Sequence, residues 1–244
     1  MEALDALSRV RIVLARPSHP GNIGSAARAM KTMGLSQLRL VQPRAFPHDE
    51  ASALASGALD VLERAQVFET LEAALADCVL AVGCSARSRD LSHPPRALRE
   101  AAPLVLASAA AAPVALVFGN ETFGLTNEEL ARCQWLAMIP ANPRYASLNL
   151  AAAVQVACYE LSTAASAFSV PAAPEHEPAT VEEVEAFHAH LERAMIASGF
   201  LDPQMPKRLM ERMRRLFARA ALEREEVRFL RGMLAAFEKQ GPKR

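Results

Sequence analysis

The chain has 244 residues, 51% hydrophobic and 22% charged, with 27 basic side chains (Lys and Arg) against 27 acidic ones. That length and apolar content can bury one large core, or a medium domain with an appendage. A formal net charge of zero removes any argument from global charge to nucleic acid and leaves room only for a local basic patch. Abundant alanine and only 5% aromatics favour close-packed helices over an all-β fold. The cysteines Cys78, Cys84, Cys133 and Cys158 form no C-x-x-C pair and read as reduced core thiols of a cytoplasmic protein. The N-terminal stretch "MEALDALSRVRIVLAR" has acids where a signal peptide needs bases, and no apolar run reaches membrane-spanning length. The expected protein is soluble and intracellular.

In chain order, short apolar or β-branched runs at 10–15, 38–42, 79–84, 114–119 and 135–140 predict buried parallel strands. Helical patterns lie between them, at 23–33, 51–64, 70–77, 95–109 and 126–133. Pro95 suits a first helical turn, and Thr126-x-x-Glu129 reads as a capping box. The alternation implies an α/β fold with a parallel sheet. Ser147 then reads as the N-cap of a long helix rich in small residues. "SVPAAPEHEPAT" reads as a linker, and Thr180-x-x-Glu183 opens a further helix. Pro206 starts a basic helix with the apolar stripe Leu209, Met213, Leu216 and Phe217. A second arm follows from about Glu223, with Val227, Leu230 and Leu234 as its stripe.

Four loops carry the candidate chemistry. "GNIGSAARAMKTMG" (21–34) opens a helix, where unsatisfied N–H groups attract anions. Its G-x-x-G spacing fits neither a dinucleotide fingerprint nor a P-loop. Gly21 and Gly24 read as clearing space for close approach of the backbone to a ligand. Arg28 shares a helix face with Gly24, so it can reach back to Asn22 and the open amides, or be a solvated arginine. "GCSARSRD" (83–90) brings Arg87 and Arg89 to a strand end, as phosphate forks or as surface charge. "FGNETFGLTNEEL" (118–130) holds Gly119 at a sharp turn and Glu121 as a lone acid. "IPANPRYASLNL" (139–150) offers Ser147 as a cap or as a hydroxyl aimed into a site. Lys207, Arg208 and Arg212 lead a basic cluster that is either a nucleic-acid contact or a solvated face. The scattered histidines form no ligand set, and no Ser sits in G-x-S-x-G, so a metal or an acyl intermediate has little support.

Together and in this order, these motifs resemble the SPOUT-type RNA ribose 2′-O-methyltransferases. The tail "LDPQMPKRLMERMRRLF…LEREEVRFLRGML" narrows the resemblance to the TrmJ group, tRNA methyltransferases acting on cytidine or uridine at nucleotide 32 of the anticodon loop. The resemblance runs from about Arg9 to Phe237. It implies a parallel-sheet α/β fold with a C-terminal trefoil knot, a rare exception to ordinary chain topology. It implies a homodimer with the active site at the subunit interface and tRNA as partner. The implied segments are a methyltransferase domain over 1–166, a linker over 167–179 and a helical extension over 180–244. S-adenosylmethionine would bind at Cys84, Ser85, Ala86, Gly119, Ile139, Ala146, Ser147 and Leu148. Arg28, Ser147 and Asn22 would form the catalytic set, and Arg28, Arg87, Arg89, Lys207, Arg208 and Arg212 would contact RNA. The chain departs from close relatives at Asn120, where they often carry Arg, and at Thr122, near which they carry another basic residue. Weighed against this reading are a ribosomal RNA methyltransferase of the same superfamily, a non-catalytic knotted RNA-binding protein, and a nicotinamide dehydrogenase that the glycine spacing disfavours.

Overall fold

The computed structural model describes residues 2–85, 95–166 and 177–240. Ala86, Arg87, Arg89 and most of the expected linker lie outside the described residues.

The described elements run α1 (Glu2–Ser8), β1 (Val10–Ala15), α2 (Pro20–Thr32), β2 (Gln37–Val41), α3 (Asp49–Ala55), α4 (Leu59–Glu63), β3 (Gln66–Phe68), α5 (Leu71–Leu75), β4 (Leu80–Cys84), β5 (Arg96–Ala97), α6 (Leu98–Ala111), β6 (Val114–Phe118), α7 (Asn127–Ala131), β7 (Trp135–Met138) and α8 (Leu150–Ser166). Three more helices follow: α9 (Val181–Ala197), α10 (Leu209–Ala220) and α11 (Arg224–Gln240). The strands form one parallel sheet in the order β3-β2-β1-β6-β4-β7-β5. Both faces are covered, so the central strands are continuous apolar runs; every residue of β6 is buried. One face packs against α1, α2, α3, α4, α6 and α8 through a large cluster containing Ile23, Met30, Leu106, Val154 and Leu161. The other packs against α5, with Leu71, Leu75, Cys133 and Val181 in a smaller cluster.

The expected strands all form, and the structure adds two. β3 is a three-residue, largely exposed edge strand, too short to show a period. β5 replaces the expected first turn after Pro95: Arg96 and Ala97 pair with Ala137 and Met138, and the helix begins at Leu98. The helix expected over 51–64 is interrupted by a 3-10 turn at Ser56–Ala58, with Ser56 at φ 52°. Ser147 is not a helix cap. Asn149 Oδ1 accepts from the amides of Ala151 (2.9 Å) and Ala152 (3.2 Å), and α8 starts at Leu150. α10 starts at Leu209 rather than at Pro206, after Lys207 and Arg208 in the left-handed region.

Both expected capping boxes are present, at Thr126/Glu129 and Thr180/Glu183. α9, α10 and α11 share a small core of Phe187, Leu222, Val227 and Leu234, with Phe217 edge-on to Phe187 at 4.7 Å. This helical unit is tied to the sheet domain where Val181 N–H donates to the Cys78 carbonyl (2.7 Å). Cys78, Cys84, Cys133 and Cys158 are unpaired thiols. Burial pushes those of Cys78, Cys133 and Cys158 up to about 12. Among the described residues, no helix is long and apolar enough to cross a membrane.

Candidate active site at the carboxyl ends of the strands

A pocket of about 390 Å³ opens where β4, β6 and β7 end, the position at which parallel α/β sheets collect ligands. Its lining includes Cys84, Ser85, Gly119, Ile139, Ala146, Ser147 and Leu148, drawn from loops far apart in sequence. Leu98, Phe118, Leu150 and Ala153 give it an apolar wall. Of the residues expected to hold a cofactor, only Ala86 falls outside the described part. The Ser147 side chain stands in the wall, exposed, with no hydrogen-bond partner among the described residues. Because Asn149 caps α8, the Ser147 hydroxyl is left for whatever enters the pocket.

The loop after β6 is tightly built. A Cβ at Gly119 would overlap the Gly124 carbonyl carbon and the Leu125 amide, so only glycine fits. Asn120 Nδ2 donates to the Arg16 carbonyl (2.9 Å), and Asn120 Oδ1 accepts from the amides of Thr122 (2.9 Å) and Phe123 (3.3 Å). Asn120 is thus an internal brace of the loop, a role its amide fills in three hydrogen bonds.

Glu121 carries the connection to the opening motif. Its carboxylate accepts from Ser18 N–H (2.9 Å), Ser18 Oγ (2.7 Å), His19 N–H (3.2 Å) and Asn22 Nδ2 (2.9 Å). Partial burial works against the charge, but hydrogen bonds from Asn22 and Ser18 outweigh it and hold the group at about 2. Asn22 Oδ1 in turn accepts from Asn149 Nδ2 (2.9 Å). Three expected loops therefore meet through Asn22, Glu121 and Asn149.

This geometry corrects two expectations about the "GNIG" turn. The amides leading into α2 are not open: Glu121 occupies those of Ser18 and His19. Nor do the glycines clear space for a ligand. Both are buried, and their missing side chains admit α3. A Cβ on Gly24 would overlap the Ala51 carbonyl; one on Gly21 would press Glu50 and Leu54. Arg28 lies further along α2, exposed, outside the pocket lining, and with no side-chain partner among the described residues.

The C-terminal basic cluster divides. Arg214 turns inward to Glu185 and His188, and Arg208 pairs with Glu211 (2.8 Å). Lys207 and Arg212 are exposed and unpaired among the described residues. Sequence reasoning missed Glu121 as the hub and Asn120 as a brace. The one available signal was an acid and an amide placed directly after a strand-ending glycine.

A profile described as the SpoU rRNA Methylase family matches residues 9–159, and one described as the C-terminal domain of tRNA methyltransferase TrmJ matches residues 182–244. The chain is 50% identical to the tRNA (cytidine/uridine/adenosine-2′-O-)-methyltransferase TrmJ of Pseudomonas aeruginosa, over 96% of this chain and 95% of that one. It is 51% identical to the tRNA (cytidine/uridine-2′-O-)-methyltransferase TrmJ of Klebsiella pneumoniae, over 96% and 98%. The crystal structure of TrmJ from Z. mobilis superposes with a TM-score of 0.82 at 35% identity, covering 93% of this chain and 98% of that one. With a strand-end pocket of the expected residues and both profiles in order along one polypeptide, the chain belongs to the SpoU methylase family, in its TrmJ group.

Proposed function

We propose that the protein transfers a methyl group from S-adenosylmethionine to the ribose 2′-hydroxyl of cytidine or uridine at nucleotide 32 of the tRNA anticodon loop. The observation that carries this reading is the pocket itself. Seven residues expected at the cofactor line it, and the Ser147 hydroxyl stands unengaged in its wall. Its volume and apolar wall suit a nucleoside with a sulfonium-bearing tail. Cys84, Ser85, Gly119, Ile139, Ala146, Ser147 and Leu148 would hold the cofactor, with Ala86 joining them. When bound, it supplies a methyl already activated on a sulfonium.

The protein's task is then alignment and the management of one proton. Arg28 does not act as the base, because a guanidinium keeps its proton. As a cation it stabilises the developing alkoxide and grips the adjacent phosphate. Ser147, or a water beside it, relays the proton. Asn22, fixed by Glu121 and Asn149, orients the ribose. Arg87 and Arg89 join Arg28 on the RNA, with Lys207, Arg208 and Arg212 adding a distant backbone contact.

The working form in this proposal is a homodimer with the site at the subunit interface, in the cytoplasm where tRNA is found. Support comes from Arg28, exposed and outside its own protomer's pocket. The C-terminal trefoil knot of the sheet domain and the division at 167–179 belong to the same reading.

The test is methylation of tRNA lacking the modification, followed by nucleoside mapping at position 32. A single 2′-deoxy substitution there abolishes incorporation; undiminished incorporation would mean base methylation instead. Arg28→Lys keeps the charge and loses the fork, so its single-turnover rate falls; a near-normal rate removes any special role for the guanidinium.

A further inference from the structure

Two aromatic side chains at the pocket stand largely exposed on the protomer. Phe123 is 71% exposed and Tyr145 is 75% exposed, and both belong to the pocket lining. A phenyl ring turned to water forfeits the burial that ordinarily retains it. Both rings are nonetheless held out on braced turns. Phe123 sits in the loop that Asn120 clamps, where its own amide donates to Asn120 Oδ1 and the Gly124 amide donates to the Asn120 carbonyl (2.8 Å). Tyr145 follows a turn that Asn142 clamps in the same manner. Asn142 Oδ1 accepts from the Arg144 amide (3.0 Å), and the Asn142 carbonyl accepts from the Tyr145 amide (2.9 Å). An asparagine side chain that fixes its own loop presents each ring.

The two rings differ from the apolar wall. Leu98, Phe118 and Leu150 are buried and give a nucleoside cofactor its enclosed surface. Phe123 and Tyr145 stand at the mouth, where the substrate ribose must arrive. A ribose in a single-stranded loop brings its base with it, and an unstacked base is held most simply on an aromatic face.

We propose that Phe123 and Tyr145 form a stacking rim that takes the base of the nucleotide being methylated and so delivers its 2′-hydroxyl to Ser147. The inference rests on the RNA ribose-methylation reading and adds the group that positions the target. Stacking accepts any base, because every base has a π-face. The rim therefore discriminates weakly among cytidine, uridine and adenosine, and selection of the site falls to the RNA fold around it.

The experiment is a substrate–enzyme cycle. The substrates are a tRNA transcript and the same transcript with an abasic ribose, 2′-hydroxyl retained, at position 32. The enzymes are the full-length chain, Phe123→Ala, Tyr145→Ala, and the ring-conserving Phe123→Tyr and Tyr145→Phe. On the normal transcript each alanine variant loses about 5- to 150-fold in kcat/KM, the range expected for one base–ring stack. The ring-conserving variants stay within about threefold of the parent, which separates ring loss from misfolding. On the abasic transcript the parent is slowed by a similar factor, and the alanine variants lose little more. Equal losses on both transcripts overturn the proposal, since the rings then act without the base. A large loss of S-adenosylmethionine affinity by calorimetry in the alanine variants also overturns it, by assigning the rings to the cofactor. If the parent methylates no 2′-hydroxyl on the normal transcript, it is the underlying function that fails, and this inference fails with it.

Discussion

Glu121 shows how one side chain can organise loops that lie 99–103 residues apart in sequence. Its carboxyl sits at about 2 in the folded protein against an ordinary 4.5. A depressed value means that the charge adds stability fully present above the unfolded value and lost as pH falls through 4.5 toward 2. Glu121→Gln keeps the shape but offers an amide N–H₂ to donors. It is expected to cost about 1–3 kcal/mol at neutral pH and to flatten the acid-dependent loss of stability. Urea denaturation at pH 7 and pH 3 checks this, and parallel pH dependences in the two proteins would refute it. The acid was visible in the sequence as a lone charge beside a strand end. Its partners were not, because hydrogen bonds across such distances leave no periodic trace.

The α2–α3 contact makes the same point for helices. Sequence periodicity located α2 to within a few residues, and Gly34 at φ 82° follows its end. What the glycines face is not a local property. Gly24 meets backbone, which cannot move aside; Gly21 meets the ends of two flexible side chains. Gly24→Ala is therefore expected to cost about 3 kcal/mol or more. Gly21→Ala stays within about 1 kcal/mol, because improved helix propensity offsets a small side-chain shift. Thermal melts of both variants give the comparison, and equal losses would mean that α3 moves as a body. Short or irregular elements escaped notice for related reasons. β3 and β5 have three and two residues, fewer than any repeat can reveal.

Across the whole molecule, the helical C-terminal unit is docked by charge as well as by Val181. Arg132, at the end of α7, donates to Glu72 of α5 (2.6 Å) and to Glu185 of α9 (3.4 Å), while Arg214 of α10 closes on the other Glu185 oxygen. Burial raises the Glu185 carboxyl, but hydrogen bonds from His188 and Arg214 bring it down to about 2. Removing it strands the partly buried Arg214 guanidinium and leaves Arg132 with Glu72 alone. Glu185→Ala is accordingly expected to cost about 2 kcal/mol and to let the helical unit melt ahead of the sheet domain in calorimetry. A single unshifted transition would show that the apolar contacts alone suffice. The two units and their order were legible from capping boxes and stripes. Arg214 is mortar between them, a role the pattern does not reveal, because sequence gives a helix its faces but not its neighbours.

The filled turn before α2 bears on how the enzyme could be blocked. An inhibitor chemist shown only "GNIGSAARAMKTMG" would add a phosphate mimic to reach the helix start. That berth is already taken by the protein's own carboxylate, so such a group gains nothing there and meets like charge. A cationic or neutral donor-bearing group aimed past Glu121, toward Ser147, is the better starting design.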